Sequence, residues 1–406
     1  MPARPLVLIS GRDVLDHVGG HETYVRAHAL AAARLGLEPH VFCYGWRPRT
    51  TLADFGVVHH VPASPRPVTL HTPLLAAAVV RFVGKRTGPV GIHGFGHWAS
   101  AGVLASRVLA RRGVNPVPVA SAYATRAYEV SAMKDGLHGH VGLVRRLRYR
   151  AWLGIVRNID DRVEGWGYAQ SRAVLVNYAS VERILERAYG LGATVRRVPY
   201  ASVDAFADTQ PSRAEATELV EPAEPAAPLV LAVSRHDPRK GLDVLLRALA
   251  EVHAQGVRFR ACLVGPGALL EPHRRLAADL GLADSVAIPG RVEDVDPYLE
   301  SADVFVLPSL AESSGSVSVL EALRAGTAVI STACDGMPED LVDGSDSLLV
   351  PPGDAQALAV ALRRLLTDPP LRAKLAAGGR RTHDERFSAT GFVDGLRAVY
   401  GELGIL

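Results

Sequence analysis

The chain has 406 residues, of which 48% are hydrophobic and 21% are charged, and its formal net charge is +3. This length favours about two domains, and the composition is that of a globular protein rather than a disordered one. The small net charge argues against nucleic acid as a partner, and the sequence contains no apolar run of the roughly 18 residues that a membrane-spanning helix needs.

The three cysteines, Cys43, Cys262 and Cys334, lie far apart in the sequence. Their spacing is not that of a metal site or a disulfide framework, so we expect each to be a small buried side chain. The apolar segment at the N-terminus is too short for a signal peptide and instead predicts a strand. The abundance of Ala, Gly and Arg is typical of a GC-rich bacterial genome. We therefore expect a cytoplasmic bacterial protein.

The first half of the chain alternates strand-like and helical segments. Strands are predicted at 5–10, 38–45, 88–96 and 116–123. Helices are predicted at 21–36 and 98–113. Because strands that alternate with helices build parallel sheets, residues 1–206 are predicted to form one Rossmann-like domain.

Residues 207–227 are rich in Pro, Ala and acidic residues and have no apolar period, so they are predicted to form a linker. A second α/β series occupies 228–385, with a helix at 241–256. Its strands are predicted at 228–234, 259–265, 285–290, 303–309, 327–332 and 347–351. Ligands of such sheets bind outside the carboxyl ends of the strands, and in two-domain proteins they bind in the cleft between the domains.

The segment SRHDPRKG, residues 234–241, directly follows a predicted strand and precedes a helix. Arg235 and Lys240 then lie together near a helix N-terminus, which is a suitable site for a phosphate or diphosphate. The alternative is a solvated loop whose charges have no ligand. The pattern alone leaves both interpretations open.

A second polar segment, ESSGSVSVLE, covers residues 312–321. The small residues before the helix allow backbone N–H groups to approach an anion closely. The candidates for this contact are Ser314, Gly315, Ser316 and Val317. Glu321, about one turn into the helix, suits the vicinal hydroxyls of a ribose, and Glu312 would lie on the sugar side of the phosphates. The alternative is a surface Glu312 and a Glu321 that merely favours a first turn.

Gly19 and Gly20 follow the first predicted strand, where a strand-to-helix turn permits close backbone approach to a ligand. The chain has no G-x-G-x-x-G sequence at this turn. This absence disfavours a nicotinamide-dependent Rossmann enzyme.

Taken together and in this order, these segments and PGRVEDVDPYLESADVFVLPS (289–309) resemble glycosyltransferase family 4. The resemblance is dense over about 228–390 and thinner over 1–206. It implies an α/β GT-B fold, in which two doubly wound, Rossmann-like domains face each other across a cleft. It also implies that a C-terminal helix, at about 386–406, crosses back to the N-terminal domain. The implied activity is retaining transfer of a sugar from a nucleotide sugar.

The resemblance also implies site roles. Arg235 and Lys240 match the pair that binds the donor diphosphate, and Glu321 matches the carboxylate that holds the ribose. Glu312 resembles the carboxylate that faces the donor sugar. Gly19 and Gly20 match the turn that closes over the diphosphate, and Arg291 and Val292 match the segment that passes the base. No metal and no cofactor other than the nucleotide sugar is expected.

Two departures from the family pattern concern the sugar side. Eight residues lie between Glu312 and Glu321 where the family usually has seven, so strict spacing would place Ser313 in the first position. The strand that ends near Tyr123 lacks the histidine that many relatives carry. His93 and His97, predicted to follow another strand, and Tyr123 are therefore the candidates for the acceptor or sugar side.

The function predicted from the sequence is retaining transfer of a sugar to a hydroxyl of a small-molecule acceptor, in secondary metabolism, with UDP-sugar as the favoured donor and GDP-sugar second. Alternatives are an envelope lipid or polysaccharide glycosyltransferase, an epimerase or phosphorylase of the same fold, and a silent nucleotide-sugar-binding partner protein. The Arg-rich segment 142–158 is predicted to be an amphipathic helix, packed on the sheet or lying on an anionic membrane surface.

Overall fold

The computed structural model of the chain describes residues 4–16, 19–62, 68–123, 125, 128, 154, 156–206, 227–312 and 314–406. The described residues form two compact units. The first contains those up to Phe206 together with the C-terminal segment Phe387–Leu406, and the second contains the remainder up to Arg386.

The first unit is built on an eight-stranded sheet with the order β3-β4-β2-β1-β5-β6-β7-β8. The strands are β1 (Arg4–Gly11), β2 (Leu37–Gly45), β3 (Arg49–Ala53), β4 (Gly56–Pro62), β5 (Pro89–Phe95), β6 (Asn115–Ser121), β7 (Ala173–Val176) and β8 (Val195–Arg197). All neighbours pair in parallel except β3 and β4, which form an antiparallel hairpin at one edge. The sequence analysis missed this hairpin and the short strands β7 and β8.

Helices cover the sheet of the first unit. They are α1 (Gly20–Arg34), α2 (Val68–Val83), α3 (Ala99–Ala110), α4 (Asp161–Ala169) and α5 (Ala179–Tyr189). The sequence predicted α1 and α3 within a few residues of these bounds.

The second unit is built on a six-stranded, wholly parallel sheet with the order β11-β10-β9-β12-β13-β14. The strands are β9 (Leu229–Val233), β10 (Arg260–Val264), β11 (Val286–Gly290), β12 (Val304–Leu307), β13 (Ala328–Thr332) and β14 (Ser347–Val350). All six were predicted, because strands buried on both faces are continuous apolar runs.

The helices of the second unit alternate with its strands. They are α6 (Leu242–Ala254), α7 (Leu270–Asp279), α8 (Asp296–Ser301), α9 (Val317–Ala325), α10 (Met337–Asp340), α11 (Ala355–Thr367) and α12 (Pro369–Arg386). Leucines of α6 and α11 belong to the same buried core cluster as Val304 and Val306. The last helix of the chain, α13 (Ala389–Glu402), belongs to the first unit. Each unit by itself has the α/β, Rossmann-like architecture that the sequence predicts.

His93 differs from its predicted placement. It lies inside β5 rather than after it, and its side chain is fully buried. Its Nδ1 lies 2.7 Å from the Tyr400 hydroxyl on α13, and its Nε2 lies 2.8 Å from Ser121 Oγ on β6. Burial lowers the pKa of His93 well below its ordinary value, so the ring is neutral. His93 therefore joins α13 to the sheet, and the prediction that it follows the strand to face a ligand is wrong.

The three cysteines are free and buried, as expected. None of the helices in the described part of the chain has the length and apolar character needed to cross a membrane. Residues 207–226 of the predicted linker and most of the Arg-rich segment 142–158 lie outside the described residues.

We predict that His93→Ala destabilises the first unit by roughly 2–4 kcal/mol, because two buried hydroxyls, on Ser121 and Tyr400, lose their partner. Urea unfolding of the variant measures this loss. His253→Ala, which removes an exposed histidine from α6, is the control. Equal unfolding midpoints for the two variants would show that the buried hydrogen bonds do not stabilise the unit.

Candidate active site

A loop with three basic residues, 234–241, leaves the carboxyl end of β9 and leads into α6. Asp237 organises it, since its carboxylate accepts a hydrogen bond from the Arg239 backbone N–H at 3.0 Å and lies 3.2 Å from the Arg235 guanidinium. The Arg235 side chain remains 55% exposed. The predicted position of Arg235 and Lys240, between a strand end and a helix start, is the one observed.

A glycine lets this loop pack against the loop that follows the neighbouring strand β12. Gly241 has a φ of 59°, and a Cβ at this position would lie 2.1 Å from the carbonyl oxygen of Pro308. Leu310 N–H donates to the Arg239 carbonyl oxygen at 2.6 Å. Only glycine satisfies both the positive φ and the close approach. The two loops are thereby held side by side.

This contact brings Lys240 to Glu312. The Lys240 ammonium lies 2.6 Å from Glu312 Oε1, and the two side chains are only 15% and 6% exposed. Ser309 Oγ donates to the same carboxylate oxygen. A buried carboxylate is stable only when it is paired and hydrogen-bonded, and Glu312 has both kinds of partner. Glu312 is therefore not the surface residue of the alternative interpretation.

The segment of small residues leads into α9 as expected. Ser316 is the N-cap of this helix and Val317 is its first residue. The first backbone N–H groups of any α-helix have no partner within the helix, so this end attracts an anion. Ser314 and Gly315 are half-buried, and so is Glu321, in the second turn of α9. Ser313 lies outside the described residues.

Asp335, on the loop after β13, is a residue of this site that the sequence analysis missed. Its Oδ2 accepts a hydrogen bond from the Glu312 backbone N–H at 2.6 Å. The neighbouring Thr332 hydroxyl donates to the Ser309 carbonyl oxygen at 2.6 Å. The only available signal was the Asp335-Gly336 pair, which indicates a turn but no partner.

A buried pair of histidines links the loop 234–241, which contains His236, to α7, which contains His273. The His236 and His273 Nδ1 atoms lie 2.9 Å apart, and both side chains are buried. Burial, reinforced by His273, lowers the pKa of His236 to about 4, so His236 is neutral at physiological pH. The sequence analysis missed this pair, because His273 lies on α7 and the spacing carries no signal.

Other sequence candidates lie at strand ends in their own unit. Arg291 and Val292 follow β11 in the second unit, where Arg291 is exposed. Gly19 is the N-cap of α1 in the first unit, and Gly20 is the first residue of that helix. Gly19 has a φ of −166°, which any residue adopts, but a Cβ there would lie 2.9 Å from Glu22 Oε2.

His97 and Tyr123 both lie beyond carboxyl ends of the first unit's sheet. The half-buried His97 ring packs on Trp98 with centroids 4.1 Å apart. The Tyr123 ring contacts Tyr24 edge-on at 4.6 Å. Its hydroxyl is buried and has no hydrogen-bond partner among the residues that the structure describes. Both remain candidates for contact with a ligand.

Among the described residues, a group of three and a separate pair of aspartates have side chains that can bind metal ions. Atoms of Asp13, Cys43 and His60 lie within 4.8 Å of one another. His60 Nε2 lies at hydrogen-bond distance, 2.9 Å, from Asp13 Oδ2, and the Arg49 guanidinium lies 3.4 Å from the same nitrogen. A neighbouring cation disfavours a metal ion there. The second group, Asp294 and Asp296, is exposed, and Asp294 accepts the Asp296 backbone N–H in a turn. Residues of both groups thus take part in hydrogen bonds of the protein itself.

Comparison with known proteins identifies relatives of this chain. Residues 227–368 match the family model described as glycosyl transferases group 1. The chain is 35% identical to the lipopolysaccharide core biosynthesis glycosyltransferase LpsE of Rhizobium meliloti, over 68% of this chain and 73% of LpsE.

Two further relatives match over about half of their own length. A GDP-mannose-dependent alpha-(1-6)-phosphatidylinositol monomannoside mannosyltransferase of Mycolicibacterium smegmatis is 32% identical, over 48% of this chain and 52% of that protein. Alpha-D-kanosaminyltransferase of Streptomyces kanamyceticus is 30% identical, over 52% and 55% respectively.

Solved structures share the fold over nearly the whole chain. Sucrose-phosphate synthase from Thermosynechococcus elongatus has a TM-score of 0.74 at 24% identity and covers 98% of this chain and 99% of its own. HepE from Anabaena, in complex with UDP and glucose, has a TM-score of 0.69 at 18% identity, over 98% and 99%. At these identities the likeness establishes the fold alone.

We predict strong energetic coupling between Lys240 and Glu312. In a double-mutant cycle with Lys240→Met and Glu312→Gln, each single change leaves a buried group without its partner, so the coupling energy in urea unfolding should exceed about 2 kcal/mol. The control cycle uses Glu271 and Arg274 on α7, an exposed pair with the same 2.6 Å separation. A coupling no larger than that of the control pair would contradict the prediction.

Proposed function

The chain belongs to the group 1 glycosyltransferases, and from this premise we propose that it transfers a sugar from a nucleoside diphosphate sugar to a hydroxyl of a small-molecule acceptor, with retention at the anomeric carbon. The observation that carries the proposal is the juxtaposition of Lys240, Glu312 and the α9 N-terminus at one sheet edge. Such a combination suits a diphosphate that is bonded to a sugar.

In this proposal the diphosphate lies between Arg235, Lys240 and the first N–H groups of α9. Arg235 pairs with Asp237 but is 55% exposed, so its guanidinium can also reach a ligand, whereas Lys240 is buried and held by Glu312. Arg235 offers a planar pair of donors for phosphate oxygens, and Lys240 offers a point charge. The carboxylate of Glu321 accepts hydrogen bonds from the ribose hydroxyls. The segment that contains Arg291 and Val292 lies beside the base.

The transfer proposed here needs no protein nucleophile. The bond between the anomeric carbon and the diphosphate oxygen breaks, and the acceptor oxygen bonds to the same face of the sugar. The departing diphosphate takes the acceptor's proton. Negative charge grows on the leaving oxygen, where Arg235, Lys240 and the α9 backbone amides stabilise it. The role of the protein is therefore electrostatic, and no metal ion is required in this scheme.

UDP-sugar is the donor favoured in this proposal, with GDP-sugar second. HepE, which has the same fold, is found in complex with UDP, and the mycobacterial relative is named for its dependence on GDP-mannose. The fold therefore accommodates the favoured nucleotide, and a relative uses the second.

For the acceptor we favour a small molecule of secondary metabolism. One relative is named for transfer of a single amino sugar, as alpha-D-kanosaminyltransferase. The second candidate is an envelope polysaccharide or lipid, which the name of LpsE favours. For either acceptor, the candidates for contact in the first unit are His97, after β5, and Tyr123, after β6.

We predict that one nucleoside diphosphate, UDP first and GDP second, raises the melting temperature of the wild-type protein. By mass action, a ligand at one hundred times its Kd adds about 2.7 kcal/mol of stability. Differential scanning fluorimetry against UDP, GDP, dTDP and ADP measures the shift. The shift should disappear in Lys240→Ala and persist in Lys374→Ala, which removes an exposed lysine from α12.

If none of the four nucleotides shifts the melting temperature of the wild-type protein, the donor site is absent and the proposal fails. If the shift survives in Lys240→Ala, a nucleotide binds elsewhere. The protein is then incubated with sugar esters of whichever nucleotide binds and with a candidate acceptor of each class. The class of acceptor that gains a sugar distinguishes the two alternatives.

A further inference from the structure

The backbone of Asp335 has a conformation found at no other side-chain-bearing residue in the described ranges. Its φ is 48°, whereas every other positive φ among those residues belongs to a glycine. L-residues avoid this left-handed region because Cβ crowds the following carbonyl oxygen, although Asp and Asn tolerate it better than most. Glycine would adopt it without strain. A strained residue points to a compensating interaction nearby.

The compensating interaction is with Glu312. Asp335 Oδ2 accepts the backbone N–H of Glu312 at 2.6 Å, across the gap between the loops after β13 and β12. The distance is short, as expected for a charge-assisted hydrogen bond. Asp335 therefore fixes the main chain at the residue whose carboxylate meets Lys240 at 2.6 Å.

Further hydrogen bonds fix other residues of the loop after β12. Thr332 on β13 holds the Ser309 carbonyl oxygen, and Ser309 Oγ in turn donates to Glu312. The backbone N–H of Ser314 donates to the Glu312 carbonyl oxygen at 2.8 Å. The main chain of Glu312 is thus held by Asp335 on the loop after β13. Its carboxylate is held by Lys240 and by Ser309, whose own carbonyl oxygen is bonded to Thr332 at the end of β13.

We propose that Asp335 is a positioning residue, which holds the Glu312 backbone so that the Glu312 carboxylate takes the place facing the donor sugar. This inference rests on the proposed function. Asp335 acts through Glu312 and not on the diphosphate, which Arg235, Lys240 and α9 contact. Loss of Asp335 therefore weakens recognition of the sugar and leaves recognition of the nucleoside diphosphate intact.

The test compares Asp335→Gly with Asp335→Asn. Glycine suits the positive φ but has no acceptor, whereas the amide oxygen of asparagine accepts the same N–H and tolerates the same backbone. Isothermal titration calorimetry gives Kd for UDP and for UDP-glucose, or for GDP and GDP-mannose where the guanine nucleotide binds. The measured quantity is the ratio of the nucleotide-sugar Kd to the nucleotide Kd.

For Asp335→Gly we expect this ratio to rise by about tenfold, since a hydrogen bond involving a charged group is lost. The melting temperature should fall by no more than a few degrees, because the relaxed backbone offsets the lost bond. For Asp335→Asn the ratio should stay within about threefold of the wild-type value. In a Glu312→Gln background, Asp335→Gly should change the ratio no further, because the residue through which it acts is already altered.

If Asp335→Gly keeps the wild-type ratio, the inference is overturned. It is also overturned if Asp335→Asn raises the ratio as much as the glycine variant, because the charge of Asp335, and not its hydrogen bond to Glu312, would then be what matters. A ratio that stays at the wild-type value in Glu312→Gln also overturns it, because Asp335 is proposed to act through that carboxylate. Failure of the wild-type protein to bind any of the four nucleotides is a different result, since it contradicts the proposed donor site and not the role of Asp335.

Discussion

The candidate site depends on one buried ion pair, between Lys240 and Glu312. Two charges with 15% and 6% exposure are stable only if each finds the other at hydrogen-bond distance, so the loops that carry them must lie within a narrow range of positions. Gly241 permits the close approach to Pro308 that meets this requirement. The parallel sheet provides the frame, because β9 and β12 are neighbours and both loops leave at the same edge.

This pair also determines how a phosphate would enter. Before the ligand binds, the Lys240 charge is neutralised by Glu312, and Arg235 is only partly neutralised by Asp237 at 3.2 Å. In the proposed donor site, a diphosphate would therefore meet the exposed Arg235 first and share Lys240 with Glu312 afterwards. Glu312 would then keep the Ser309 hydroxyl as a partner. The carboxylate is thus a ready acceptor for a sugar hydroxyl beside the phosphates.

Much of this site was predictable, because its elements are local in sequence. A strand, two cations and a helix start within residues 229–242 predict an anion site, and small residues before α9 predict a second contact to the same ligand. The apolar runs predicted the six strands of the second unit. The β3–β4 hairpin was missed, because Arg49–Ala53 is an exposed edge strand with no apolar period.

The parts that could not be predicted are contacts between residues distant in sequence. His93 bonds Tyr400, which is 307 residues away, so its sequence neighbours say nothing of its burial. Asp335 and Glu312 are 23 residues apart, and His236 and His273 are 37 apart. A polar side chain in such a pair has the same local pattern whether its partner is a ligand or a distant part of its own fold.

His93 and His97 were both predicted to contact a ligand, and their different positions relative to the strand end explain why only His97 remains a candidate. His93 lies in a central strand, where the neighbours on both sides bury it, and a buried neutral ring needs two partners from the fold itself. His97 lies past the strand end, in the short helical turn Gly96–Trp98, and its side chain is half-buried. A shift of four residues along one segment thus changes a histidine from a structural link into a candidate ligand contact. In parallel sheets, the carboxyl end of each strand marks the boundary between these two roles.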